Sequence, residues 1–116
     1  MDATIYKICP EALWRNAENT GMFSGSGIDV SDGYIHFSTA DQAVETATKH
    51  FVGQHDLVLV AIDARRLGEA LRWEPSRGGA LFPHLYADLA MPAVIRAEPL
   101  PLGDDGRHLF PDLPKG

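Results

Sequence analysis

The sequence holds one cysteine, no long apolar run and no surplus of positive charge, and each shortage closes off a class of protein. A single thiol, Cys9, cannot form an internal disulfide. No stretch approaches the roughly twenty consecutive apolar residues that a membrane-spanning helix needs. The opening segment MDATIYKICPEAL carries an acid at Asp2 and no apolar centre, so no secretory signal is expected and a reducing cytoplasm is the expected location. Ten Lys and Arg stand against sixteen Asp and Glu, a formal charge of -6, which repels phosphate backbones unless cations gather on one face. The densest basic run is Arg65-Arg66, which reads as a solvated helix face rather than a nucleic-acid groove.

Several chemical signatures are missing as well. The histidines, His36, His50, His55, His84 and His108, follow no zinc-site spacing, and no metal is expected. Gly25-Ser26-Gly27 is followed neither by the third glycine of a dinucleotide fingerprint nor by the Lys and Ser/Thr of a phosphate loop. No G-x-S-x-G elbow occurs. Cys9 precedes Pro10, where a helix is expected to begin, but nothing around it resembles a catalytic-cysteine signature, so the reading preferred is a small buried hydrophobe.

What is present is the composition of an ordinary globular chain: 116 residues, 45% hydrophobic and 22% charged. That length predicts one domain, 1–116, with a core over about 4–101 and a turn-rich tail, 102–116, in which Leu109, Phe110 and Leu113 are candidate anchors. Patterning predicts an α+β domain with a mixed or split β-sheet and two main helices. Residues 4–8 read as a strand with Ile5 and Lys7 on one face. Pro10 opens a helix whose core stripe is Leu13, Trp14 and Ala17 and whose stop is Gly21. Residues 21–33, with four glycines and three serines, read as a loop able to wrap a ligand. Thr39 and Gln42 form a capping-box pattern ahead of a second helix, with Ala40, Val44, Ala47 and Phe51 directed to the core. The apolar run 57–62 is a central strand, a helical turn follows at 64–69, 71–74 is a strand and 93–98 a late strand.

Two segments carry polar groups suited to a site. In the strand 34–38, Ile35 and Phe37 face the core while Tyr34, His36 and Ser38 face the other way. If 81–86 is extended, His84 and Tyr86 share a face, next to a second flexible loop, 75–80. Glu74 is placed to serve the same cleft or to pair with Arg72 or Arg77. His36 and the ring of Tyr86 are therefore expected to line one concave pocket.

DGYIHFST at 32–39, the downstream Gln42, LRWE at 71–74 and GGALFPHLY at 78–86 resemble, in this order, a family of small bacterial proteins known as domain of unknown function 952. The resemblance runs from Ile5 to about Pro101. More remotely it is similar to the ADP-ribosyltransferase fold, including the branch that removes a 2'-phosphate from RNA with NAD. That resemblance implies a split sheet holding NAD in its cleft, a histidine on an early strand at a ribose, and an aromatic residue or second histidine near the nicotinamide. His36 matches the first position; Tyr86 or His84 matches the second. The late-strand catalytic glutamate of that fold has only Glu98, in VIRAEPL, as a counterpart, and the surrounding motif departs from the pattern.

The implied catalytic residues are thus His36, His84 and Glu98, and the implied NAD-binding residues are His36, Ser38, Thr39, Arg77, His84 and Tyr86. Breaking the nicotinamide–ribose bond develops positive charge on the sugar, which a site must steady while holding two riboses and a pyrophosphate. His36, Ser38 and Thr39 offer hydroxyl partners, the helix start at Thr39 offers amides to phosphate, Tyr86 offers a stacking face and Arg77 a cation for pyrophosphate. The alternatives are a non-catalytic domain binding a small nucleotide or metabolite, and an RNA 2'-phosphotransferase, which the acidic charge opposes. A small nucleotide is the expected partner, and the chain is expected to be a monomer or weak homodimer.

Overall fold

Leu57 to Ile62 is apolar at every position, and such a strand is stable only between two neighbours with cover on both faces. In the computed structural model, which describes residues 3–76 and 78–113, it occupies that central place. The chain forms β1 (Thr4–Pro10), α1 (Glu11–Thr20), β2 (Met22–Phe23), α2 (Ile28–Asp32), β3 (Ile35–His36) and α3 (Ala40–His50), then β4 (Leu57–Asp63). After 3-10 turns at Ala64–Arg66 and Gly68–Ala70 come β5 (Leu71–Ser76), β6 (Ala80–Leu85), β7 (Leu89–Ala90), a turn at Met91–Ala93 and β8 (Val94–Leu100). The main sheet has the order β1-β4-β8, a second three-stranded sheet the order β3-β6-β5, and β2 pairs with β7; all these pairings are antiparallel. The α+β class and the split sheet are as expected.

The two faces of the main sheet bury different sets of side chains. Ile5 and Cys9 of β1 and Val58, Val60 and Ile62 of β4 pack with Trp14, Ala17 and Phe23. Tyr6, Ile8, Leu57, Leu59 and Ala61 pack under Ala40, Ala43 and Ala47 of α3, with Phe110 and Leu113 of the tail against them. Small residues at these positions let α3 approach the sheet closely, which leaves Val44 outside the contact and exposed, contrary to the expected stripe. On α1 the buried pair is Trp14 and Ala17, and Leu13 is exposed instead of buried. The helix ends where predicted: Gly21 takes a left-handed φ of 88° and returns its N–H to Ala17 at 2.8 Å. The capping box at Thr39 and Gln42 is formed in both directions.

Two segments expected as loops are ordered more than their composition suggests. Residues 21–33 contain β2 and α2, and Asp29 starts the latter by accepting from the Ser26 amide while its own N–H bonds the Ser26 carbonyl. In the second, strand reaches in from both ends: β5 runs to Ser76 and β6 starts at Ala80, with residue 77 outside the described residues. Leu109, one of three tail anchors proposed from sequence, is exposed, and β8 continues through Pro99, which an edge strand tolerates. Among the described residues no helix is long and apolar enough to cross a membrane.

Candidate functional site

The site is built where the sheet splits. Phe37 donates its N–H to the Pro83 carbonyl at 3.0 Å, but proline has no N–H to return, so the β3–β6 ladder stops after the pair His36↔His84. Hydrogen-bonded and non-bonded pairs alternate in an antiparallel ladder, so His36 and His84 occupy the non-bonded position, where facing side chains come closest. Their ring centroids lie 5.2 Å apart, edge to face.

Among the described residues β3 has no strand partner on its other side; the chain meets β1 at Ser38, which exchanges two 2.8 Å backbone bonds with Tyr6. The outward groups of His36 are satisfied by side chains instead. Its N–H donates to Asp29 Oδ1 at 3.1 Å, and its carbonyl accepts from Lys7 Nζ at 2.9 Å. Lys7 and Asp29 close the circuit with a 2.7 Å ion pair, their side chains only 7% and 1% exposed. An unpaired charge could not stay buried there, and an unpaired β3 edge could not either. Each defect is the other's remedy.

Asp29 also holds the imidazole. Its Oδ1 lies 2.6 Å from His36 Nδ1, and Asp32 Oδ2 lies 3.1 Å from Nε2. Burial works against ionisation of Asp29, but the bond from His36, the Lys7 charge and hydrogen bond, and the Ser26 amide outweigh it and bring the carboxyl down to about 2. Gly25 makes room for this: it has a φ of 114°, and a Cβ there would sit 2.8 Å from Asp29 Cβ.

The second half of the site is aromatic. The Tyr34 ring lies 4.6 Å from His36, 4.4 Å from His84 and 4.9 Å from Tyr86, centroid to centroid. His84 Nδ1 and Tyr86 Oη both reach Glu74 Oε1, at 2.8 and 2.7 Å, and the Arg72 guanidinium lies over the Tyr86 ring at 4.8 Å. The bonds from Tyr86 and His84, with the charges of His84 and Arg72, hold the Glu74 carboxyl below its ordinary range, and the bond to Glu74 pushes the Tyr86 hydroxyl up. Two imidazoles, each tied by a carboxylate, thus stand in one cluster with two tyrosine rings. Such a cluster can stack a planar ring, bond hydroxyls and face a developing positive charge.

Of the residues proposed from sequence, His36, His84 and Tyr86 come together. Ser38 does not join them: it is buried, and its hydroxyl lies 2.9 Å from Thr46 Oγ1. Thr39 spends its hydroxyl on the Gln42 amide. Glu98 sits on β8, bonded to Arg96 at 3.1 Å, with β4 and β1 between its strand and the segment of His36; the carboxylate beside His84 and Tyr86 is Glu74. Arg77 lies outside the described residues. Cavities of about 200 and 160 Å³ lie beside Arg66, Leu85 and Asp88, and beside Glu11, Asp56 and Pro99; His36 and Tyr86 line neither. Both rings pack against Tyr34.

Sequence reasoning missed Lys7, Asp29 and Asp32. Lys7 had a signal, since a cation on the Ile5 face of a strand has to find a partner or a way out. The two aspartates were hidden in a segment read as loop. Among the described residues no group of three or more His, Cys, Asp or Glu side chains is arranged to hold a metal ion.

Residues 8–97 match the model of a family described as protein of unknown function (DUF952). The crystal structure of protein CC0527 from Caulobacter crescentus is 51% identical to this chain and superposes with a TM-score of 0.88, covering 91% of this chain and 93% of that one. The solution NMR structure of the same protein is 51% identical, with a TM-score of 0.81 and 90% of each chain covered. No curated protein matches.

Proposed function

The chain belongs to the DUF952 family, and from the cluster its fold assembles we propose that it binds NAD or an ADP-ribose derivative there and cleaves the bond between nicotinamide and ribose. The observation that carries this reading is the cross-strand pair His36 and His84, each held by a carboxylate and both flanked by the Tyr34 ring. Nucleotide recognition calls for a stacking surface, partners for ribose hydroxyls and a cation for pyrophosphate. Tyr34 and Tyr86 supply the first, His36 the second and the exposed Arg72 the third. In cleavage, water adds to the ribose carbon as nicotinamide leaves, giving ADP-ribose, nicotinamide and a proton. Glu74, ionised at neutral pH, is the carboxylate that faces the charge developing on the sugar. It takes the role for which the remote family resemblance implies Glu98.

Release of nicotinamide from NAD by the purified protein, measured by chromatography, tests the reading. Release that falls at least about a hundredfold in both His36→Ala and Glu74→Gln supports it. Binding of NAD without release supports the narrower reading of a non-catalytic nucleotide-binding domain. Neither binding nor release removes both. A phosphorylated RNA end needs several basic contacts, and the formal charge of -6 disfavours that substrate.

A further inference from the structure

We infer that Asp29, clamped by Lys7, is a positioning residue that keeps the His36 proton on Nδ1 and so makes Nε2 the nitrogen presented to a ligand. The last step rests on the proposed function; the proton's place does not.

The clamp leaves one arrangement of donors and acceptors. Asp29 Oδ2 accepts from the Lys7 ammonium at 2.7 Å and from the Ser26 amide at 3.0 Å, and neither donor can reverse its role. Asp29 Oδ1 accepts the His36 backbone N–H at 3.1 Å and faces Nδ1 at 2.6 Å. A carboxylate has no proton to give, so Nδ1 must supply the one in that bond. Three fixed donors, the Lys7 ammonium and the backbone N–H groups of Ser26 and His36, keep the carboxyl ionised throughout the neutral range. Nε2 lies 3.1 Å from Asp32 Oδ2, and that side chain is 44% exposed where the Asp29 side chain is 1% exposed, so Nε2 is on the open side of the ring. The ring is therefore bounded by Lys7 from β1, by Asp29 and Asp32 from α2, by His84 from β6 and by Tyr34 beside it in sequence.

A purely structural ion pair would satisfy the β3 edge and leave the tautomer to chance. Orienting a histidine through a carboxylate at one nitrogen is how enzymes fix the reactivity of the other, and exchanging such a carboxylate for an amide gives the wrong tautomer. The same exchange is diagnostic here. In Asp29→Asn the amide oxygen stays on the side with two fixed donors, Lys7 and Ser26, and the bond from the His36 backbone N–H is given up, which puts the NH₂ group against His36 Nδ1. That nitrogen then has to accept, and the proton moves to Nε2.

The experiment is NMR of the full chain carrying ¹⁵N-labelled histidine, titrated until the imidazoles are neutral. His108 is an internal reference of opposite sense, because its Nε2 lies 2.9 Å from the Gln54 carbonyl and must carry the proton. Wild-type His36 is expected protonated on Nδ1 alone, Asp32→Asn unchanged, and Asp29→Asn protonated on Nε2. If NAD binds the wild type, Asp29→Asn weakens it about tenfold or more while Nε2 is blocked. A neutral wild-type His36 with its proton on Nε2, or shared between the nitrogens, overturns the inference, as does a tautomer that follows Asp32→Asn. The wild-type spectrum decides the tautomer even if Asp29→Asn fails to fold. Absence of NAD binding would remove the proposed function and leave the tautomer assignment standing.

Discussion

His36 lies directly across from His84 in the antiparallel pairing of β3 and β6. The register decides the site, since a slip of one residue would bring Ile35 or Phe37 opposite His84 and turn His36 into the core. Pro83 ends the ladder on one side, and Lys7 with Asp29 replaces the missing strand on the other. The cluster is thus a product of an interrupted sheet, and its supports are open to direct test.

Removing Asp29 strands a buried ammonium. Asp29→Ala is expected to cost about 3–5 kcal/mol, because Lys7, whose burial already works against its charge, loses its counterion and must either stay charged unpaired or give up its proton. The double change Lys7→Met with Asp29→Leu removes both charges and is expected to recover part of that loss. Urea denaturation of the three proteins measures the difference; equal losses in the single and double variants would show that the charge is not the cause.

Acid should act through the same carboxyl. Its ordinary value of 3.8 falls to about 2 in the folded protein, so above 3.8 it is ionised in both states and its contribution, about 2 kcal/mol, is fully present. Below 3.8 the unfolded chain takes up the proton first, and that stability is lost as pH falls through about 2. Comparing the urea midpoints of wild type and Asp29→Asn across this window should show a steeper decline in the wild type. Parallel declines would refute the assignment.

Two glycines should respond differently to alanine. At Gly25 the new Cβ meets Asp29 Cβ at 2.8 Å on a backbone with φ of 114°, and a loss of about 1–3 kcal/mol should come with shifts of the His36 resonances. At Gly21 nothing lies within 4 Å, so only the left-handed backbone resists, at about 1 kcal/mol and without effect on His36. Unchanged His36 signals in Gly25→Ala would separate that loop from the site.

Cys9 is fully buried, and burial pushes its thiol up to about 12 even though the Lys7 charge pulls the other way. A thiol reagent at mildly alkaline pH should leave the native protein unmodified and label it promptly in denaturant. Rapid native labelling would mean that β1 opens far more readily than its buried position implies.

Much of the frame was legible because its signals are local. The continuous apolar run of β4, the Thr39–Gln42 box and the Gly21 stop each follow from a few adjacent residues, and the alternation around Ile35 and Phe37 correctly turned His36 away from the core. What escaped depends on contacts between distant segments. Alternation puts Ser38 on the face of His36, but the chain crosses there from one sheet to the other, and its hydroxyl ends beside Thr46. Asp29 and Asp32 sit among glycines and serines whose composition speaks of a loop, and only the approach of Lys7, 22 positions earlier, gives Asp29 its meaning. Glu74 was visible as a candidate because its strand alternates. Glu98 was proposed by resemblance, not by its neighbours.

The measurement that bears most directly on the proposed site is an NMR titration of the protein with NAD and with ADP-ribose. Saturable shifts are expected at Tyr34, His36, Arg72, His84 and Tyr86, abolished in His36→Ala, with the signals of Arg66 and Asp88 beside the cavity of about 200 Å³ unmoved. Shifts confined to Arg66, Asp88 and their neighbours, or no saturable shift with either nucleotide, would contradict the proposed site.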